Sequence, residues 1–178
     1  MNYAAIKKFD IANGPGVRVS LFVSGCRHKC KNCFNSEAWD FSYGNPFTDA
    51  VLQELLDALN KDHIEGFSLL GGEPFEPENQ ECVRDILKAI KQKYPQKTVW
   101  CYTGFLYDTQ LLAGTVGDKQ TVCEILENID VLVDGKFVEE LKRLDLLFRG
   151  SSNQRIIDVK RSRQKGTTIW LQGGWGRK

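Results

Sequence analysis

The sequence predicts an α/β fold, an incomplete (partial) β/α barrel with mostly parallel strands and a C-terminal hairpin. Three observations predict it. Short β-branched runs alternate with stretches whose apolar residues recur at helical spacing, the pattern of parallel βα units rather than of an antiparallel meander. Turns containing glycine follow the strand-like runs at Ser24-Gly25, Gly71-Gly72, Thr103-Gly104 and Asp134-Gly135. The units are too few for eight repeats in 178 residues. The sheet is therefore expected to be an incomplete barrel or a curved open sheet, with ligands at the C-terminal ends of its strands.

Residues 17–23, Val-Arg-Val-Ser-Leu-Phe-Val, are β-branched and partly alternating, and read as the first strand. Asn13-Gly14-Pro15-Gly16 makes a turn just before it. The strand runs straight into Ser24-Gly25 and a cluster of cysteines, which must then lie on a loop at the strand's C-terminal end. Thr48 caps a helix with Val51, Leu52, Leu55, Leu56 and Leu59 on one face. Residues 67–70 form a short strand, and Asn79 opens a second helix carrying Val83, Ile86, Leu87 and Ile90. Residues 98–102 read as a strand, 121–128 as a helix and 131–133 as another strand. At the end, residues 155–159 and 168–171 read as two strands around the polar turn 160–166, the expected hairpin. No repeat or low-complexity segment interrupts this order.

Hydrophobic content of 42% and charged content of 26% are those of an ordinary globular domain. A net charge of +1 gives no ground for expecting nucleic acid or a membrane as partner. The charge is uneven, however: residues 136–178 carry 11 basic and 4 acidic side chains. Such a tail reads as a solvated basic face or as a docking surface for an acidic partner. The first ten residues lack the apolar stretch of a secretory signal. No run approaches the roughly 20 apolar residues of a membrane span. A cytoplasmic chain is expected, and in that reducing compartment six cysteines do not read as a disulfide framework.

Three of those cysteines, in Cys26-x3-Cys30-x2-Cys33, crowd one short loop and ask for a metal. A four-iron cluster held by four cysteines is closed, whereas three leave one iron able to bind a substrate group. In S-adenosylmethionine (SAM) chemistry that group is the methionine end of SAM, whose sulfur–C5′ bond the reduced cluster breaks. A structural zinc site is the alternative and wants four ligands. His28, two residues from both Cys26 and Cys30, is awkwardly placed to join them. Cys82, Cys101 and Cys123 are isolated and are assigned no chemistry, while a distant fourth ligand stays open. In Gly71-Gly72-Glu73-Pro74, the glycines let the backbone approach a ligand, where a sheet edge would hold the methionine ammonium and Glu73 would add charge. A plain strand-to-helix turn is the other reading. Arg149-Gly-Ser-Ser-Asn-Gln154 reads as a surface loop or as a binding segment that closes the open end of the site.

Through Cys-x3-Cys-x2-Cys and Gly-Gly-Glu-Pro the sequence resembles the radical SAM superfamily. Asn13-Gly-Pro-Gly-x-Arg18 narrows the likeness to the glycyl-radical-enzyme activating family. Within it, the nearest resemblance is to the anaerobic ribonucleoside-triphosphate reductase activating proteins. It rests on Leu21-Phe-Val-Ser-Gly-Cys26, Cys33-Phe-Asn35, Val131-Leu-Val-Asp-Gly-Lys-Phe137 and Arg149-Gly-Ser-Ser-Asn-Gln154, and spans residues 6–158. The resemblance implies a radical SAM domain over residues 1–159, with residues 160–178 as a C-terminal extension packed on it or trailing from it. It implies one 4Fe-4S cluster on Cys26, Cys30 and Cys33, with SAM as the second cofactor. Asn32 and Phe34 would lie beside the adenine, and Gly71, Gly72 and Glu73 would hold the methionine end. Tyr102, Thr103 and Asp134 are given only a place in the cleft.

The implied reaction is reductive cleavage of SAM to a 5′-deoxyadenosyl radical that generates a glycyl radical on the large catalytic subunit of the reductase. An electron donor such as a flavodoxin would serve it, and the assembly would be a homodimer or a heterotetramer with the reductase. Two departures stand out. Asn32 precedes the third cysteine where the family often has glycine, and the segment after Val159, with Arg161, Arg163, Trp170 and Trp175, runs beyond the likeness. The competing readings are an activator of another glycyl radical enzyme, a small-molecule radical SAM synthase, and a non-catalytic metal-binding or electron-transfer module.

Overall fold

The computed structural model describes residues 1–171. Its centre is a seven-stranded mixed sheet with the order β3-β1-β2-β4-β5-β6-β7. The strands are β1 (Asn2–Asp10), β2 (Val17–Val23), β3 (Asn45–Pro46), β4 (Ile64–Gly71), β5 (Thr98–Tyr102), β6 (Val131–Asp134) and β7 (Arg155–Asp158). β2, β4, β5 and β6 run parallel. The flanking pairs β1–β2, β1–β3 and β6–β7 are antiparallel. The sheet is open, so the α/β class with parallel central strands is what the sequence led one to expect. Helices α1 (Asp49–Leu59), α2 (Pro77–Lys93) and α3 (Lys119–Glu127) supply the crossovers between the parallel strands.

Side chains alternate across each strand, and the two faces of the sheet differ in kind. Val19, Leu21, Val23, Phe67, Leu69, Val99, Cys101, Leu132 and Ile157 join the apolar sides of α1, α2 and α3 in one buried core. The opposite face carries Arg18, Ser20 and Ser68, all buried, beside a smaller cluster of Trp100, Val131, Val133 and Ile156. Helix starts follow local chemistry. The Thr48 hydroxyl accepts from Val51 N, as expected of a cap. α2 begins at Pro77, not at Asn79, because Pro presets the first helical position. The Asn79 amide instead donates to Ser24 O and Glu73 O, tying the helix to the two loops that precede it.

Two further departures from the sequence reading concern the chain ends. β1 was not expected: its exposed residues include Lys7, Lys8 and Phe9, which break the alternation that marks a strand. The C-terminal hairpin is replaced in part by a helix, α4 (Val159–Lys165), where a polar turn was expected. Asp158 Oδ1 caps it by accepting from Arg161 N, and Gly166 ends it in the left-handed region, φ 65°. Val159 and Ser162 are buried on its inner side. The chain then returns beside β7 through a single bridge between Ile157 and Trp170, with Leu171 N donating to Ile156 O. Trp175 lies outside the described residues. Among the described residues no helix is long and apolar enough to cross a membrane.

Arg18 explains how the turn at residues 13–16 is held. Its guanidinium, fully buried, donates to Ser68 Oγ (2.7 Å), Thr98 Oγ1 (3.0 Å), Phe67 O (2.8 Å), Thr98 O (2.9 Å) and Pro15 O (3.2 Å). Ser68 Oγ in turn donates to Asn13 O (2.5 Å). Burial lowers the Arg18 pKa to about 10, so it stays cationic at neutral pH. Arg18→Met should cost about 3 kcal/mol, because several buried acceptors lose their donor together. Arg18→Lys should recover little of that, since an ammonium cannot reproduce a planar fork of donors. Anaerobic urea unfolding measures both, and a loss below about 1 kcal/mol for the Met variant would contradict this role.

Candidate functional site

The C-terminal ends of β2, β4, β5 and β6 open into one cavity of about 480 Å3. Its wall gathers segments that are far apart in sequence. Cys26, Cys30 and Cys33 contribute from the loop after β2, Gly71 from the end of β4, and Gly72 and Glu73 from the turn after it. Tyr102 ends β5, Thr103 and Gly104 follow it, and Gly135 follows β6. Arg149, Gly150 and Gln154 close the circle from the loop before β7.

The cysteine loop is pinned at several points. Gly25 N donates to Ala38 O (2.8 Å) and Cys26 N to Trp39 O (3.2 Å). Arg27 N and Nη1 donate to the two oxygens of buried Glu76 (2.7 and 2.6 Å). Lys29 and Asn32 take positive φ (47° and 54°), which bends the loop around its thiols. Gly71, at φ 110°, turns the end of β4 in a backbone conformation that a side chain would strain. Gly72 then packs so close to the cysteine loop that a Cβ would stand 2.5 Å from Gly25 O. Gly72 N donates to Val23 O (2.7 Å) and Glu73 N to Gly25 O (2.8 Å).

Glu73 sits at the junction and is 1% exposed. Its carboxylate accepts from Thr103 Oγ1 (2.8 Å), Gly104 N (2.7 Å) and Phe75 N (3.0 Å), and lies 2.9 Å from His28 Nε2. The side chain is thus a brace between the cysteine loop and the turn after β5. His28 also packs edge-on against Phe105, 4.5 Å between ring centroids. Phe34, by contrast, is 85% exposed at the cavity edge.

The donor set suits an iron–sulfur cluster. The three thiols line the same wall, and a four-iron cluster takes one thiolate per iron. Burial pushes the Cys26 thiol up to about 12 and raises Cys30 as well. Ligation must therefore displace protons, as thiolate metal sites do. Two buried donors on the wall, Trp39 Nε1 and the Tyr102 hydroxyl, find no hydrogen-bond partner among the described residues. Trp39 left no signal in the sequence, standing in a polar loop without periodicity. Cys82 and Cys123 lie on helices, and Cys101 is in the main core, away from the cavity.

The connection from β6 to β7, residues 135–154, is built as a braced loop. The Gln154 amide donates to Gly135 O (3.1 Å) and accepts from Gly150 N (2.8 Å) and Ser151 N (3.1 Å). Arg149 Nη1 donates to Gln154 O (2.6 Å), and Asn153 Nδ2 to Lys136 O (2.8 Å). At the loop's two ends Arg155 clamps fully buried Asp134 (Nε–Oδ1 2.8 Å) and reaches Asp108 (2.8 Å). Asp134 also accepts from Tyr107 N (2.7 Å). The polar run at residues 149–154 thus spends its side chains on the loop's own shape.

A family model described as a 4Fe-4S single cluster domain matches residues 12–157. The chain is 41% identical over 162 residues to the anaerobic ribonucleoside-triphosphate reductase-activating protein of Escherichia coli K12, covering 90% of this chain and all of that protein. The protein of the same description from Enterobacteria phage T4 is 39% identical over 88% of this chain and 93% of its own length. The one from Haemophilus influenzae is 40% identical over 90% of this chain and 99% of its own.

Gln154→Ala removes three hydrogen bonds and should weaken the loop by about 2 kcal/mol, or roughly 30-fold faster hydrogen exchange of its amides. Unchanged protection across residues 136–152 would contradict the brace. Hydrogen bonds from Arg155 hold the Asp108 carboxyl at about 2, below its ordinary 3.8. The stabilisation from that pair is therefore full above 3.8 and is lost only as pH falls through about 2. Loop protection, corrected for intrinsic rates, should be flat between roughly pH 6 and pH 8.

Proposed function

We propose that this chain, which belongs to the family of anaerobic ribonucleoside-triphosphate reductase-activating proteins, activates such a reductase by reductive cleavage of SAM. The observation that carries the reading is the meeting of Cys26, Cys30 and Cys33 with the Gly71-Gly72 turn and the residue 135–154 loop on one cavity. When bound, the 4Fe-4S cluster would supply one electron to split SAM into methionine and a 5′-deoxyadenosyl radical, which takes a hydrogen atom from a backbone glycine of the reductase.

The chain's own residues do the rest. Cys26, Cys30 and Cys33 would hold the cluster, and three protein ligands would leave it open to the methionine end of SAM. Gly71 and Gly72 let the backbone approach that methionine end, while the Glu73 carboxylate fixes the turn's distance from the cysteine loop. Asn32 and Phe34 flank the adenine. In this reading the open sheet is a partial barrel whose uncovered end admits a glycine loop from another protein. The electron comes from a donor such as a flavodoxin, and the chain works in the cytoplasm. Matches over 90% of the chain to activating proteins favour this activity over a small-molecule synthase.

Anaerobically reconstituted protein incubated with SAM and dithionite should release methionine and 5′-deoxyadenosine. Added reductase should then show a glycyl radical by electron paramagnetic resonance. Cys26→Ala should reduce both to the enzyme-free background. SAM cleavage surviving in that variant would overturn the ligand assignment. Cleavage by the wild-type chain with no radical on the reductase would overturn the choice of partner.

A further inference from the structure

We propose that the loop at residues 135–154 presents the docking surface for the reductase, with Leu144 and Leu147 as its apolar contacts. The proposal rests on the activating function above. Leu144 is 94% exposed, Leu147 63% and Leu141 42%, so three large apolar side chains face outward within seven residues. None of them belongs to either buried core cluster. Phe34 stands exposed on the cysteine loop at the edge of the same cavity that Leu144 lines. Apolar groups gathered at the rim of a site mark an interaction surface rather than scattered surface leucines.

The surface is already shaped. Gln154 closes the loop on itself, Arg155 clamps its ends through Asp134, and Lys31 Nζ meets Glu140 Oε1 (3.3 Å) across the gap to the cysteine loop. Docking on it would need little ordering of the loop, which lowers the cost of association. Its charge narrows the occupant. Of the cations that line the cavity, Arg143 is paired with Asp145 (2.7 Å) and Arg149 is held by Gln154 O (2.6 Å). That leaves Lys142, 3.9 Å from Glu139, to meet an incoming group. Glu73, the one carboxylate among the lining residues, is occupied by its four contacts. A segment with apolar side chains and a carboxylate complements such a rim. The glycine-bearing segment of the reductase is the occupant that must cross this rim to reach the 5′-carbon. A second copy of this chain seated here would instead block that entry.

Binding of the purified reductase to the anaerobically reconstituted chain, by titration calorimetry, decides the matter. The Leu144→Ser/Leu147→Ser double variant should bind at least roughly tenfold more weakly, because two apolar contacts leave the interface. Lys142→Glu should weaken binding by a similar factor, with the loss growing at low salt. Iron content and far-ultraviolet dichroism, both expected at wild-type values, show that these surface changes leave the fold intact. Unchanged affinity in both variants would overturn the proposal. So would a wild-type self-association that the double variant abolishes while reductase binding persists. SAM cleavage by the wild-type chain is measured separately, so a failure of the activating function stays distinguishable from a failure of the docking surface.

Discussion

The site depends on one buried carboxylate. Glu73 follows the glycine turn at the end of β4, and its oxygens are held by Thr103, Gly104 and Phe75 and by contact with His28. That arrangement joins the cysteine loop after β2, the turn after β4 and the turn after β5 at one point. A buried carboxylate is costly unless its oxygens are satisfied, so the three segments are driven into a single geometry. Glu76, three residues on, repeats the device on Arg27. Two acids of one strand-to-helix connection thereby set where the thiols stand relative to the glycines.

The same economy appears on the other side of the cavity. Asp134, buried at the end of β6, receives Arg155 from the start of β7, so a loop of some length leaves and re-enters the sheet at fixed points. Between them Gln154 shapes the wall without needing a core of its own. Arg18 does the equivalent work beneath the sheet, where it holds the turn at residues 13–16 and with it Asn13 at the cavity wall. Buried polar side chains, more than apolar packing, give this site its shape, while the helices on the opposite face supply the stability.

The parallel strands and their crossover helices were legible because their residues repeat with clear periods: Val19, Leu21 and Val23 alternate, and Leu52, Leu55, Leu56 and Leu59 recur at helical spacing. The cysteine spacing and the glycine turns were legible because few other chemistries use them. β1 was not, since its partner β2 supplies the pairing that its own exposed lysines do not announce. α4 was hidden because its signal is two caps, Asp158 and Gly166, around seven mostly polar residues. The role of Gln154 could not be read at all, since the carbonyl and amides that it meets are brought to it by the fold. For the same reason the brace that the Glu73 carboxylate makes between three loops could not be read, since Thr103, Gly104 and His28 are brought to it by the fold.

The central claim is that this cavity holds a cluster on three thiolates with one iron left for SAM. Mössbauer spectroscopy of protein reconstituted with 57Fe, with and without SAM, tests it most directly. The account predicts a 4Fe-4S spectrum in which SAM moves the signal of one iron and leaves the other three as they were. A spectrum that SAM does not alter, or protein that retains zinc and takes up no iron, would contradict it.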